Sequence, residues 1–288
     1  RVRRYTSGNA FEETALKVLR IDREFEQLIY DNQRVDALAS ERLSSAPDIM
    51  DIYGFCGMSA LNELSSGLDI RKLLKKNWIW QPREIQEIIL QASTSLARVH
   101  SIDFGGSSKN GTKNVMLVHN DITHNNYVVS RSGRLKLSDF NLGILVRWNI
   151  TSKKSCGFHR FGAAGAINVN SPPESGFRNT TLSEKVDIYG IGTLLFQFLT
   201  SHRLYEEELG MMSSYEKGVE NEEAKVVRLI TSPARPLLPK EIEKSDDATI
   251  IGLKRIMRRC LQYNAADRPT AQELVNLLDA MYQSREQQ

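Results

Sequence analysis

Two short polar blocks in a fixed order around a hairpin restrict this chain more than any other feature. The first, His119-Asn120-Asp121-Ile122-Thr123-His124-Asn125-Asn126, fits H-x-D-x-x-x-x-N, and the second is Ser138-Asp139-Phe140-Asn141. Between them, Tyr127 to Leu137 reads as two short strands turning at Ser132-Gly133, which delivers Asp139 at a strand end. Two carboxylates and an amide in this order suit transfer of a phosphoryl group from a triphosphate. That chemistry needs an acceptor beside the attacking hydroxyl and oxygen ligands for the magnesium that neutralises the phosphates. Asp121 is expected to hold and deprotonate the hydroxyl, and Asp139 to supply the main carboxylate to the metal.

The order and spacing of the two blocks resemble the catalytic loop and metal-binding turn of the eukaryotic protein kinase family. The resemblance implies ATP and Mg2+ as cofactors, a protein as substrate, and Asn126 as the residue whose amide oxygen turns back toward the metal. It also implies an α+β, bilobal protein-kinase-like fold: a small β-rich N-lobe, incomplete here, and a large, mainly helical C-lobe. The whole of 1–288 then reads as one kinase domain, with a partial N-lobe and hinge over 1–64 and the C-lobe over 65–288.

Other segments extend the resemblance. Glu12 to Arg20 is similar to the V-A-I-K strand, which gives Lys17 as the partner of the α- and β-phosphates. From about Ile21 to Leu43 good helix formers predominate. The family's helix carries an acid that pairs with the strand lysine, and spacing to the next strand, near Ile49 to Cys56, favours Asp36. Glu41 competes, but lies about 140° further round the helix. Ser59 to Ile70 looks like the last N-lobe strand running into the hinge. That alignment puts Asn62 at the guard position, the backbone of Glu63 to Ser65 against adenine, and Asp69 near the ribose.

In Pro82 to His100, Ile85, Ile88, Ile89, Ala92, Leu96 and Val99 follow helical spacing and predict a core-facing stripe. An inserted loop over about 102–115 follows, dense in Gly, Ser and Asn. It contains a literal Asp103-Phe104-Gly105, which chain order rejects as the metal turn because it precedes the catalytic loop. The activation segment spans 139–174 and ends at Ser171-Pro172-Pro173-Glu174, similar to A-P-E. Thr151, Ser152 and Ser155 are candidate phosphorylation sites within it. Val186 to Gly192 resembles the start of the central buried helix, with Asp187 anchoring the catalytic loop. Arg268 in Asp267-Arg268-Pro269 is expected to pair with Glu174, and His119 joins these three as structural support. The last helix, Ala271 to about Tyr282, sets Leu274, Leu277, Leu278 and Met281 on one face.

Composition excludes several other classes. At 41% apolar and 25% charged the chain is globular, and a net charge of +3 gives no reason to propose nucleic acid or an anionic membrane as partner. Cys56, Cys156 and Cys260 have neither disulfide-framework nor zinc spacing, which favours reduced thiols and a cytoplasmic setting. No membrane segment is expected within this chain, since Ile188 to Leu199 is too short to span a bilayer and contains Gln197; the cytoplasmic part of a longer, membrane-anchored protein is the alternative setting. The sequons at Asn110, Asn149 and Asn179 are read as accidental.

Departures from the family pattern bear on activity and regulation. Gly8 is the only glycine before Lys17, so no glycine-rich loop precedes the lysine strand, and the chain reads as a fragment of a longer polypeptide. Asn120 replaces the arginine that clamps a phosphorylated activation loop. Thr123 stands where serine/threonine kinases carry a lysine, leaving only a weak preference for a Ser/Thr acceptor over Tyr. Asn141 replaces the glycine of D-F-G, where left-handed backbone is expected. The leading reading is an active protein kinase. The alternatives are a pseudokinase that binds nucleotide or partners and a small-molecule phosphotransferase.

Overall fold

The computed structural model describes residues 2–5, 11–18, 24–75, 80–102, 115–149, 151, 154–159, 167–177, 179–206, 208–210, 222–233 and 236–286. Strands β1 (Val2–Tyr5), β2 (Phe11–Lys17), β3 (Ile52–Cys56) and β4 (Ser59–Glu63) form an antiparallel sheet in the order β1-β2-β4-β3. Lys17 ends β2 opposite Ala60, and Ala15 lies opposite Asn62. Strand side chains alternate, so Lys17, Ala15, Ala60 and Asn62 share one face of the sheet.

Helix α1 (Gln27–Leu43) packs on that face through a cluster of Ala37, Ile52 and Ala60. Two alanines at the contact let helix and sheet approach closely. The helix begins later than its propensity suggests: Glu26 is extended, with φ −122° and ψ 132°, and no side chain caps the first turn. Residues 24–26 are non-helical and exposed, while the buried positions start at Asp36. Good helix formers without a cap or a packed face do not hold the first turns; residues 21–23 lie outside those described. The strand expected from Ile49 starts instead at Ile52. Ile49 makes a parallel bridge with Leu137, flanked by Met50 N–H to Leu137 O at 2.9 Å and Leu137 N–H to Asp48 O at 2.9 Å. Those residues join the sheet to the larger lobe.

The larger lobe contains α2 (Ile70–Lys75), α3 (Pro82–His100), the pairs β5 (Leu117–Val118) with β8 (Ile144–Leu145), β6 (Tyr127–Val129) with β7 (Leu135–Leu137) and β9 (Trp148–Asn149) with β10 (Lys154–Ser155), and α4 (Lys185–Thr200). Beyond α4 come α5 (Glu222–Ile230), α6 (Lys240–Glu243), α7 (Ala248–Cys260) and α8 (Ala271–Glu286). Pro82 at the first helical turn and a reciprocal Gln81–Glu84 capping box start α3. Its stripe is buried at Ile85, Ile89, Ala92, Leu96 and Val99, whereas Ile88 is only half-buried. It rests against α4 and α8, the latter burying Leu274 and Leu278 completely. Every residue from Val186 to Leu199 in α4 is buried, as expected of a helix surrounded on all sides.

Asp103, Phe104 and Gly105 lie outside the described residues, as does Ser152. Among the described residues no helix is long and apolar enough to cross a membrane. A small antiparallel sheet with one helix against it and a larger, mainly helical lobe make the fold α+β and bilobal.

Candidate active site

The catalytic loop leaves β5 and is held from beneath by α4. Asp187, in the first turn of that helix and 1% exposed, accepts from the backbone N–H of His119 at 2.8 Å and of Asn120 at 2.7 Å; the Nε2 of His100 lies 2.9 Å from it. A buried carboxylate survives only when its lone pairs are filled, and here they are. One turn along, Gly190 lets the loop lie on the helix itself: an added Cβ would fall 2.6 Å from Ile122 Cβ and 2.8 Å from its carbonyl oxygen. His119 accepts from Asp121 N–H at Nδ1 (3.3 Å), which assigns the proton to Nε2, 3.2 Å from Ser138 O. Its ring packs against that of Phe140 at a tilt of 51°, with centroids 4.9 Å apart. Asn120 has φ 62°, a left-handed conformation that asparagine tolerates better than arginine, and its Nδ2 donates to Leu142 O at 3.2 Å.

Asp121, Asn126, Asp139, Lys17 and Asp36 are linked by two sets of contacts. Asn126 Nδ2 donates to the backbone oxygen of Asp121 at 2.8 Å and to its Oδ2 at 2.7 Å, so Oδ1 is the Asn126 atom left for another ligand. Lys17 Nζ lies 2.9 Å from Asp36 Oδ2 and 3.1 Å from Asp139 Oδ1. Asp36 also accepts from the N–H of Phe140 through Oδ1 at 2.8 Å. Glu41 is exposed on another face of α1. The short Asp36 side chain reaches Lys17 because Ala37 and Ala60 bring helix and sheet together. Burial pulls the Lys17 pKa down, but Asp36 and Asp139 together outweigh it and the net direction is upward, which keeps the ammonium charged.

The turn after Asp139 corrects one expectation. Asn141 keeps a negative φ, and the left-handed residue is Asp139 itself, at φ 67°. Glycine is needed two positions beyond Asn141: Gly143 N–H donates to Phe140 O at 2.8 Å, and a Cβ there would meet that same oxygen at 2.8 Å. The missing glycine of D-F-G therefore creates no backbone strain.

The residues expected around the nucleoside are partly engaged elsewhere. Glu63 uses its N–H on Asp51 O at 2.8 Å and its carboxylate on Lys136 at 2.7 Å. Ser65 Oγ accepts from Gly67 N–H at 3.2 Å. Asp69 caps α2, accepting from Lys72 N–H at 2.7 Å, with its other oxygen 3.5 Å from Lys72 Nζ. Among the described residues Asn62 Oδ1 is buried without a hydrogen-bond partner.

Below the catalytic loop, Glu174 and Arg268 form a two-pronged pair, both contacts at 2.7 Å. Arg268 donates its remaining N–H groups to the carbonyl oxygens of Gln262, Lys185 and Tyr263, at 2.8, 3.1 and 3.3 Å. All five guanidinium donors are thereby filled, and the plane lies 4.9 Å from the Tyr189 ring centroid. Two of the phosphorylation candidates are described: Thr151 is exposed, and Ser155 lies in β10 with its hydroxyl accepting from Gly157 N–H. A 220 Å³ cavity bordered by Asp121, Thr123, Leu142, Phe158 and Ser171 opens beside the loop. The larger 410 Å³ cavity, bordered by Tyr205, Pro236 and Met257, touches none of the cleft residues.

Sequence reasoning missed His100 and His124. His100 reads only as a basic helix end. His124 is half-buried within the loop; burial, then Arg203 and Arg71, hold its pKa below the ordinary value, so it is neutral at pH 7.

Asp139 carboxylate and Asn126 amide oxygens are hard donors that suit Mg2+. Among the described residues no group of three or more His, Cys, Asp or Glu could hold a metal ion.

The chain is similar to several curated proteins. It is 26% identical over 234 residues to wall-associated receptor kinase-like 20 of Arabidopsis thaliana, covering 79% of this chain and 32% of that protein. It is 26% identical over 223 residues to the serine/threonine-protein kinase TOUSLED of the same plant, covering 76% and 28%. With the serine/threonine-protein kinase PrkC of Bacillus subtilis it shares 24% over 200 residues, covering 68% and 28%. The chain thus spans about a third or less of these relatives' length. The protein kinase domain family matches residues 1–277, across sheet, cleft, catalytic loop and the buried Glu174–Arg268 pair. A match of that extent, over a fold with those parts in that order, means that the chain belongs to the eukaryotic protein kinase family.

Proposed function

We propose that this chain transfers the γ-phosphoryl group of Mg-ATP to a protein hydroxyl, with Asp121 as the base. The observation that carries this reading is the Asn126 amide, whose nitrogen orients the Asp121 carboxylate and whose oxygen remains for the metal. In this reading Lys17, oriented by Asp36, holds the α- and β-phosphates; Asp139 and Asn126 hold Mg2+. The ion neutralises the triphosphate when bound. Asp121 aligns the acceptor hydroxyl and takes its proton. The backbone of Glu63 to Ser65 meets adenine and Asp69 the ribose. Asp187 and His119 fix the loop, and Glu174 with Arg268 fixes the end of the activation segment, 139–174. The division at residues 64 and 65 and a cytoplasmic setting belong to the same proposal. The named serine/threonine kinases among the relatives support a Ser/Thr acceptor.

Thr123, standing where the family's lysine would touch the γ-phosphate, favours one second reading: a pseudokinase that binds nucleotide without turnover. The full-length protein tests both. Asp121→Asn is expected to keep ATP affinity within about twofold and to lower transfer by about 10²- to 10⁴-fold, while Asp139→Ala weakens Mg-dependent nucleotide binding. Undiminished transfer by Asp121→Asn overturns the base assignment, and Mg-ATP binding without transfer by the wild type favours the pseudokinase.

A further inference from the structure

We propose that Ser138 is a positioning residue for the metal site: its hydroxyl sets the spacing of the Asn126 and Asp139 oxygens and so favours Mg2+ over a more permissive cation such as Ca2+. This rests on the reading of Asn126 and Asp139 as the residues that hold the ion.

Four residues close a ring of hydrogen bonds. Asp121 N–H donates to His119 Nδ1 at 3.3 Å, and His119 Nε2 donates to Ser138 O at 3.2 Å. Ser138 gives both its N–H and its hydroxyl to Asn126 O, at 2.9 and 3.0 Å. Asn126 Nδ2 returns to Asp121, at 2.8 Å to the backbone oxygen and 2.7 Å to Oδ2. Ser138 is the one member that lies beyond the β6–β7 hairpin, so the ring ties the loop over 119–126 to the strand that delivers Asp139.

The hairpin explains why a hydroxyl matters at this position. Tyr127 stands opposite Leu137, so Asn126 and Ser138 face each other just past the strand ends, where a ladder opens most readily. The hydroxyl adds a second donor there. The next residue, Asp139, is left-handed at φ 67°, a costly conformation for a side-chain-bearing residue that persists only where its neighbours over-determine it. Asn126 is held through its Nδ2 and through its backbone oxygen, which restricts where its Oδ1 can point. Ser138 thus bonds the backbone of one proposed ligand and is joined covalently to the other. Mg2+ demands near-octahedral geometry at short distances, whereas Ca2+ accepts more oxygens in looser arrangements, so a fixed spacing separates the two ions.

The test measures binding of the non-hydrolysable β,γ-imido analogue of ATP to the full-length protein by calorimetry, with Mg2+, with Ca2+ or with EDTA. Ser138→Ala keeps the backbone N–H bond to Asn126 and removes only the hydroxyl. It is expected to weaken Mg2+-dependent binding by about tenfold, the low end for a group that orients a metal ligand. Ca2+-dependent binding should change by less than about threefold, and binding in EDTA not at all. Ser138→Thr retains a hydroxyl and is expected to restore the Mg2+ preference. Should Ser138→Ala fail to fold, Ser138→Cys, whose thiol is only a weak donor, is expected to show the same Mg2+-selective loss. An equal loss with Mg2+, Ca2+ and EDTA marks a general disturbance and overturns the proposal, as does no loss at all. If Mg2+ fails to strengthen nucleotide binding by the wild type, the metal reading of Asn126 and Asp139 falls and takes the proposal with it.

Discussion

Two ionic clusters in this molecule use the same chemical groups in opposite surroundings. Arg268 is fully buried, its five donors filled by Glu174 and three backbone carbonyls. Lys17 and Asp139 are about two-fifths exposed and meet around a buried Asp36. The buried cluster can exchange no partner without stranding a charge, so it holds the segment around Glu174 against the start of α4. The open cluster can release Asp139 or Lys17 to a ligand at small cost, because water screens what is left. Completeness of hydrogen bonding separates a fixed strut from a site that has to change partners.

Breaking the strut should give the largest effect. Glu174→Ala leaves the Arg268 charge buried without its partner and is expected to cost about 3–5 kcal/mol of stability, read as a lower denaturation midpoint with unchanged slope. A loss below about 1 kcal/mol would erase the contrast. Next comes Asp187→Asn, which replaces one of two acceptor oxygens beneath the catalytic loop with a donor. It is expected to cost about 1–3 kcal/mol and to speed amide exchange at His119 and Asn120, where it is checked.

Asp36→Asn puts a donor where a buried oxygen accepted; with Lys17 part-exposed and still beside Asp139, it should cost about 1 kcal/mol, the low end for an unsatisfied buried group, while weakening Mg-ATP binding several-fold, as measured by calorimetry. Its pH dependence has a definite sign. The folded Lys17 pKa lies above its ordinary 10.5, so its stabilisation is fully present below that value and is lost as pH rises through the folded pKa. The stability gap between wild type and Asp36→Asn is accordingly flat from about pH 6 to 9 and closes only above 10.5. The smallest perturbation is chemical labelling. Burial pushes the Cys260 thiol up to about 12, whereas Cys56 and Cys156 are exposed. Maleimide should modify two thiols in the native state and the third only after denaturation.

The folds of the loop over 119–126, of the turn over 138–141 and of α4 were legible because their residue types and order follow a family pattern or a packing that few sequences produce by chance. Position 174 and position 268 were legible for the same reason, though 94 residues separate them. What local pattern did not reveal depends on distant partners. The late start of α1 follows from where its buried face begins. The ordinary backbone at Asn141 follows from the left-handed turn being made at Asp139 and closed at Gly143. His100 met Asp187 across 87 positions, and no periodicity announces such a contact.

Asp36 serves two donors at once, the ammonium of Lys17 through one oxygen and the amide of Phe140 through the other. Moving α1 outward would strand the Phe140 amide and leave Lys17 with Asp139 alone, and unwinding the Phe140 turn would leave one oxygen idle within the packed interior. Half-ready arrangements are therefore penalised from either direction, since an orphaned buried donor costs about 1–3 kcal/mol. Helix and turn behave as a conjunction: both in register or both out, with a single carboxylate as the hinge pin.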